Sequence, residues 1–237
     1  MENQKAYMSW LSGVLGKAEG EPEQWYSVSQ KEFHSNYGRG LLAHYHGSPY
    51  QLLSTLYPDQ NWLPWRFTRA PKDFWTIKAN QRKYLDWLAV KLGYRNKEDW
   101  YKVTRKDFQE NYGDTLLRMF ETSPYRLLRA VFEEDKFLPW MFNTTPNDVW
   151  RDLDTMRMMI LYVEEELNLK TVDDWTRVTG SQLRDLGVDN AFLQRGGSAK
   201  VIAETYPDAN TPLLRYKKKE EKEKDKEKET ENAKAQD

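Results

Sequence analysis

The 237-residue sequence has no cysteine and only three histidines. The first absence excludes disulfides, thiolate catalysis and every Cys-based zinc or iron–sulfur site. No apolar run approaches the roughly 18 residues that a membrane-spanning helix needs. The opening MENQKAYMSW has no cationic start followed by an apolar stretch, and it carries Glu2 and no arginine. Neither a secretory signal nor a transit peptide is therefore expected. The corresponding expectations are a cytoplasmic or nuclear setting and no membrane partner. G-x-S-x-G, P-loop and G-x-G-x-x-G motifs are missing, and Gly38-Arg39-Gly40 is too short to mean phosphate binding. No long alternating strand pattern occurs. The net charge is −1, and residues 1–75 hold seven basic and seven acidic side chains. The strongly basic domain of a general nucleic-acid binder is thus missing as well.

Aromatics are abundant, at 14% with ten tryptophans. Such side chains each bury on the order of 150–250 Å², so a core can form from few of them. Their placement is periodic. EQWYSVSQKEF (23–33), EDWYKVTRKDF (98–108) and DDWTRVTGSQL (173–183) repeat one phrase, with Trp25, Trp100 and Trp175 spaced by 75. Phe33, Phe108 and Leu183 keep that spacing, as do Ser48, Ser123 and Ser198. Upstream, Trp10 matches Trp87 and Tyr162, with a two-residue length change in the first copy. Downstream, YPDQNWLPWRFTRAPKDFW (57–75) matches FEEDKFLPWMFNTTPNDVW (132–150), whereas the third copy keeps Tyr206-Pro207-Asp208 and departs into NTPLLRY. Nine tryptophans occupy such recurring positions, and Trp62 has Phe137 opposite. The tryptophans are accordingly framework before they are site.

The repeat reads as helical. YLDWLAVKLGY places Tyr84, Leu85, Trp87, Leu88 and Leu92 on a broad apolar face, and Gly16, Gly93 and Asn168 are suited to close the helix. Ser29…Glu32, Thr104…Asp107 and Thr179…Gln182 are capping boxes at one register. Gly38, Gly113 and Gly187 break the chain before a short apolar turn. Ser48-Pro49 and Ser123-Pro124 start the last helix, with Ser as cap and Pro in the first position. The Leu63-Pro64-Trp65 and Leu138-Pro139-Trp140 turns are expected to pack one repeat on the next. After Tyr216 the chain is a Lys/Glu mixture with no apolar residue larger than Ala. It cannot bury enough surface to offset chain entropy, and a disordered tail is expected.

The phrase Trp100-Tyr101-Lys102-Val103, with Gly40-Leu41-Leu42, Ser48-Pro49, Tyr57-Pro58-Asp59 and Trp62-Leu63-Pro64-Trp65-Arg66-Phe67, resembles the unit of large sets of uncharacterised eukaryotic repeat proteins, especially fungal and algal ones. The resemblance covers residues 5 to 216, the third copy in part. It implies tandem repeats and carries over no activity and no functional residues.

Candidate chemistry is sparse. His44 and His46 lie two apart, which on a helix points them to different sides. His34 aligns with Gln109 and Arg184 and reads as a solvent position. The carboxylates sit in runs such as Glu164-Glu165-Glu166, which read as solvated helix faces. The most suggestive surface belongs to the middle repeat. Arg82, Lys83, Lys91, Arg95, Lys97, Lys102, Arg105 and Lys106 interleave with Tyr84, Tyr94 and Tyr101, a mixture suited to phosphate contacts and base stacking. Asp86, Glu98, Asp99 and Asp107 in the same span favour an ordinary mixed-charge face.

The sequence therefore predicts an all-α protein of three helical repeats of about 75 residues packed side by side. The repeats are 1–75, 76–150 and 151–216, the last divergent and capping, followed by the tail 217–237. The expected function is a non-enzymatic macromolecule-binding or scaffolding module, since repeat arrays present extended surfaces. Another protein is the expected partner. The alternative is single-stranded RNA or DNA bound through the middle repeat. No catalytic residue, metal site or cofactor is expected, and the oligomeric state is left open.

Overall fold

The structure is a computed structural model and describes residues 2–19 and 21–208. The chain is all-α: helices and helical turns are the regular structure among the described residues, with no strand. It forms two compact units, Met1–Lys136 and Phe137–Asp237. The expected tail, 217–237, lies outside the described residues, as do Leu213 and Leu214.

Unit 1 begins with α1 (Glu2–Leu15), the short α2 (Pro22–Trp25), α3 (Gln30–Ser35), α4 (Arg39–Ala43) and α5 (Pro49–Leu56). Two 3₁₀ turns, Pro64–Arg66 and Phe74–Thr76, lead into α6 (Lys78–Leu92). A 3₁₀ segment Lys97–Lys102, α7 (Arg105–Glu110), α8 (Asp114–Arg118) and α9 (Pro124–Val131) complete the unit. In unit 2, 3₁₀ turns at Pro139–Met141 and Asn147–Arg151 precede α10 (Leu153–Glu166), a 3₁₀ segment Val172–Arg177, α11 (Gly180–Asp185), α12 (Asp189–Gln194) and α13 (Ser198–Thr205).

Local chemistry fixes the helix ends. Gly16, Gly93 and Asn168 close α1, α6 and α10 in the left-handed region, with φ of 63°, 75° and 50°. Ser29, Thr104 and Thr179 each form the full capping box with Glu32, Asp107 and Gln182. Each box satisfies two amide donors that a helix start would otherwise leave open. At the start of the 3₁₀ segment of unit 2 the Thr171 amide donates to Asp174 Oδ2 at 2.9 Å, the Asp half of such a box. Ser48 and Ser123 cap α5 and α9, with Pro in the first position.

The tryptophans are largely interior. Trp25, Trp62, Trp65, Trp75, Trp100, Trp140, Trp150 and Trp175 are all at most 7% exposed. Met8, Leu11, Trp25, Phe33, Leu42, Leu52, Leu53 and Leu56 form one core of unit 1. Trp140, Trp150, Met159, Ile160, Val163, Trp175 and Phe192 belong to the core of unit 2. Both Leu-Pro-Trp turns dock on the helix that follows them. Trp65 packs against Tyr84 and Trp87 of α6, both at a ring separation of 5.6 Å. Trp140 packs against Tyr162 of α10 at 5.3 Å.

Two sequence expectations need correction, and two details of the chain breaks are new. Gly38 and Gly113 stand at the breaks, as the caps of α4 and α8, with the left-handed residue one earlier. Tyr37 and Tyr112 take φ of 61° and 63°, in register with Gly187 at 72°. The apolar turns at Leu41-Leu42 and Leu116-Leu117 are wound into α4 and α8. At α13 the cap is Gly197, one residue before the Ser198 that keeps the 75-residue spacing. Glu164 is not on a solvated face: it is fully buried and accepts a hydrogen bond from Tyr206 Oη at 2.5 Å. The reason is helical phase, because Glu164 falls beside Ile160 and Val163 on the buried stripe of α10.

Candidate functional site

A cleft of about 960 Å³ opens on unit 1 between α3, the turn into α5 and the segment 67–72. Its first wall is the outer face of α3. Phe33 is fully buried and anchors the helix, which leaves Lys31 and His34 exposed three residues apart on one face. Glu32, the only carboxylate on α3, is turned back onto the cap. It accepts from the Ser29 amide at 2.9 Å and from Ser29 Oγ, and these bonds hold its pKa below the usual carboxylate value.

The floor is a tight reversal. His46 and Gly47 are both left-handed, at 52° and 73°, and Gln30 Nε2 donates to the Gly47 carbonyl at 2.6 Å. That bond ties α3 to the start of α5. The far wall follows Phe67, which is 5% exposed and meets Tyr26 and Tyr50 edge-on at 5.0 and 5.7 Å. With Phe67 anchored, Thr68 and Arg69 are exposed along the rim, and Lys72 follows.

The lining contains Lys31, Arg39, Arg69 and Lys72, together with His34 and His46, and no aspartate or glutamate. None of the four cations forms an ion pair among the described residues. Four full positive charges in a concave surface focus the potential and raise the local concentration of anions. The sequence reading passed over these residues. They are spread from position 31 to 72 in a segment whose charges cancel by count, and the fold leaves the carboxylates out of the lining, although Glu32 still interacts with Lys31 through space.

A neighbouring depression of about 830 Å³ surrounds Arg66, and here the charge is consumed internally. The guanidinium is paired to Glu23, with Nη2 2.8 Å from Oε2, and lies over Tyr26 at 4.3 Å and Tyr112 at 5.6 Å. Glu23 is held below its ordinary pKa by the Arg66 hydrogen bond, helped at longer range by Lys91.

The basic and aromatic residues expected in the middle repeat are not collected on one face. Arg82, Lys83 and Lys91 all lie on α6, but at about 100° per residue Lys83 is a quarter-turn and Lys91 a half-turn from Arg82. Arg82 faces the end of α9, paired with Glu134 at 2.9 Å and stacked over Phe132 at 4.2 Å. It also pairs with Asp86 on its own helix, at 3.1 Å. Lys102 pairs with Asp99 at 3.1 Å and Lys106 with Glu110 at 3.6 Å. Lys97 Nζ donates to the Lys136 carbonyl at 2.6 Å. Lys83, Lys91, Arg95 and Arg105 are exposed and form no ion pair among the described residues. Tyr84 is fully buried, donates to the Asn111 carbonyl at 3.0 Å and offers no face to a base. Tyr94 is half-buried against Trp100 at 5.3 Å, and Tyr101 is half-buried too. Among the described residues, no three His, Asp or Glu side chains are grouped as a metal site requires, and no helix is long and apolar enough to cross a membrane. No protein-family model, curated protein or solved structure matches this chain.

Proposed function

We propose that the protein is a non-enzymatic binding module made of three tandem helical repeats, and that its cleft takes an acidic or phosphorylated segment of a partner protein. Hydrogen bonds that recur at equivalent positions support the repeat reading. Gln24 Oε1 accepts from the Ala18 amide at 2.6 Å, Asp99 Oδ2 from the Arg95 amide at 2.9 Å and Asp174 Oδ2 from the Lys170 amide at 2.9 Å. Tyr7 donates to the Asn36 carbonyl at 2.9 Å as Tyr84 does to Asn111 at 3.0 Å. The two tyrosine bonds join segments 29 and 27 residues apart, so they carry more weight than shared caps or the three local bonds.

The observation that carries the ligand class is the lining of the cleft: four unpaired cations and no carboxylate. A protein segment is favoured over single-stranded nucleic acid because the one Phe, Tyr or Trp ring in the lining, Phe67, is buried, which leaves only the smaller His34 and His46 rings to stack on bases. The nucleic-acid reading through the middle repeat rests on Lys83, Lys91, Arg95 and Arg105, which diverge around α6 and its neighbours.

Fluorescence anisotropy tests the proposal. A labelled Asp/Glu-rich peptide and its phosphoserine counterpart are titrated with the full chain, against a single-stranded oligonucleotide of equal charge. At least one peptide should bind, steeply weaker as salt rises, and Arg69→Glu with Lys72→Glu should cost about tenfold or more in affinity. Binding of the oligonucleotide alone, insensitive to that double variant, would overturn it.

A further inference from the structure

One end of unit 1 presents a bare aromatic surface. Trp10 on α1 is 46% exposed, Val14 one turn later is 50% exposed, and Tyr37 is 90% exposed. The Trp10 and Tyr37 rings lie 6.4 Å apart. Tyr37 holds a left-handed backbone, an unfavourable conformation for a bulky side chain, where the third repeat uses Gly187. A tyrosine kept at such a position and left in water needs a reason.

The same surface recurs inside unit 1, and there it is covered. Trp87 and Tyr112 stand where Trp10 and Tyr37 stand in the first repeat. The Pro64–Arg66 turn sits on them: Trp65 packs on Trp87 at 5.6 Å, and the Arg66 guanidinium lies 5.6 Å from the Tyr112 ring. Covered in this way, Trp87 is half-buried and Tyr112 is 49% exposed. In unit 2, Trp140 covers Tyr162 in the equivalent manner. In unit 1 the acceptor therefore has a known occupant, a tryptophan and the arginine that follows it in the same turn.

A partial match to the phrase that supplies this occupant runs from the last described residues into the undescribed ones that follow. Tyr57-Pro58-Asp59-Gln60-Asn61 leads into Trp62-Leu63-Pro64-Trp65-Arg66-Phe67. Tyr206-Pro207-Asp208-Ala209-Asn210 leads into Thr211-Pro212-Leu213-Leu214-Arg215-Tyr216. Counting from Tyr206, the register that Gly197 at the α13 cap also fixes, Leu214 replaces Trp65, while Arg215 and Tyr216 match Arg66 and Phe67. We infer that residues 210–216 of one copy dock on the Trp10–Tyr37 surface of a second, with Leu214 on Trp10 and Arg215 over Tyr37. The inference rests on the three-repeat reading. It implies a head-to-tail contact, which joins unlike surfaces and leaves each complex with one donor and one acceptor still open. Association then continues with concentration instead of stopping at a dimer. Leu214 offers less area than a tryptophan, which makes the contact between copies weaker than the one within a chain.

Sedimentation velocity on the full chain over a broad concentration range tests this. The weight-average mass should rise continuously with concentration. Trp10→Gln with Tyr37→Asn, an exposed pair in which Asn tolerates the left-handed backbone, should abolish the rise. Leu214→Asp with Arg215→Glu should do the same from the other side. A mixture of the two variants should form a 1:1 dimer and nothing larger. Synthetic peptides separate the inference from the reading beneath it. If a peptide of residues 61–69 binds the Tyr37 surface and one of residues 209–217 does not, the second copy is the wrong occupant and the repeat equivalence stands. If neither binds, the equivalence of the Trp10 and Trp87 surfaces falls, and the inference with it. A mass that stays monomeric at every concentration also overturns the inference.

Discussion

Gly113 is a glycine for want of space, and replacing it with alanine should be costly in a way that a second substitution relieves. Its backbone sits at φ −96° and ψ 3°, which any residue adopts. An added Cβ would overlap Tyr84 Oη and lie 2.6 Å from Cζ and 3.0 Å from Cε1. Carbon contacts settle near 3.5–4.0 Å, so the ring would have to retreat by about 1 Å. It has nowhere to go, because Trp75, Trp65 and Trp87 surround it at 5.3, 5.6 and 5.8 Å. Overpacking of this kind costs about 1–3 kcal/mol. Loss of the Tyr84–Asn111 hydrogen bond adds about 0.5–1.5 kcal/mol. The stiffer unfolded chain offsets roughly 0.4–1 kcal/mol. The net expectation for Gly113→Ala is about 2–3 kcal/mol of destabilisation. Unit 2 shows how the conflict is removed. Val188 stands where Gly113 does, at φ −105° and ψ −7°, and Met159 stands where Tyr84 does, both fully buried. Tyr84→Met alone should cost about 2 kcal/mol through the cavity it opens. In the double variant the two losses should fall short of their sum by at least about 1 kcal/mol. Urea unfolding of the four proteins in a double-mutant cycle measures the coupling. Additive losses would mean that the tyrosine–glycine and methionine–valine pairs are unrelated, which would remove a main support of the repeat reading.

Other expectations follow from the same packing. Trp140→Ala should cost about 3–5 kcal/mol, because the indole is buried against Tyr162. Hydrogen exchange should show lost protection across α10 to α13 and none across α1 to α5; unchanged exchange in α10 would refute the docking role of the turn. Asp174 accepts amide bonds from Lys170 and Thr171, which lower its pKa from 3.8 to about 2. A depressed carboxylate contributes stability that is complete above its unfolded value and is lost as pH falls through its folded one. Unit 2 should therefore lose stability between about pH 4 and pH 2, and Asp174→Asn should flatten that part of the melting-temperature profile. An identical profile for wild type and variant would contradict the assignment.

The helical framework was legible in the sequence because its determinants are local. Capping boxes, left-handed helix ends and the 75-residue spacing of Trp25, Trp100 and Trp175 depend on a few neighbouring residues. What escaped depended on phase or on distance. Glu164 looks like part of an acidic run until the 3.6-residue period places it among Ile160, Val163 and Tyr206. Ser198 matches Ser123 by counting, yet one residue lost before Tyr206 hands the cap to Gly197. The cleft was hidden for a similar reason. Lys31, Arg39, Arg69 and Lys72 are unremarkable singly, and their meaning comes from Glu32 being tied to Ser29 and from the buried Phe67, neither of which spacing reveals. Conversely, the dense basic run from Arg82 to Lys106 promised a surface, but Arg82, Lys102 and Lys106 are matched by local carboxylates and Tyr84 is in the core.

Amide hydrogen exchange of the full chain with and without the bound acidic peptide tests the central claim most directly. Protection should rise at residues 30–39, 46–48 and 67–72 and stay unchanged at residues 82–106. Protection confined to 82–106, with none around the cleft, would contradict it.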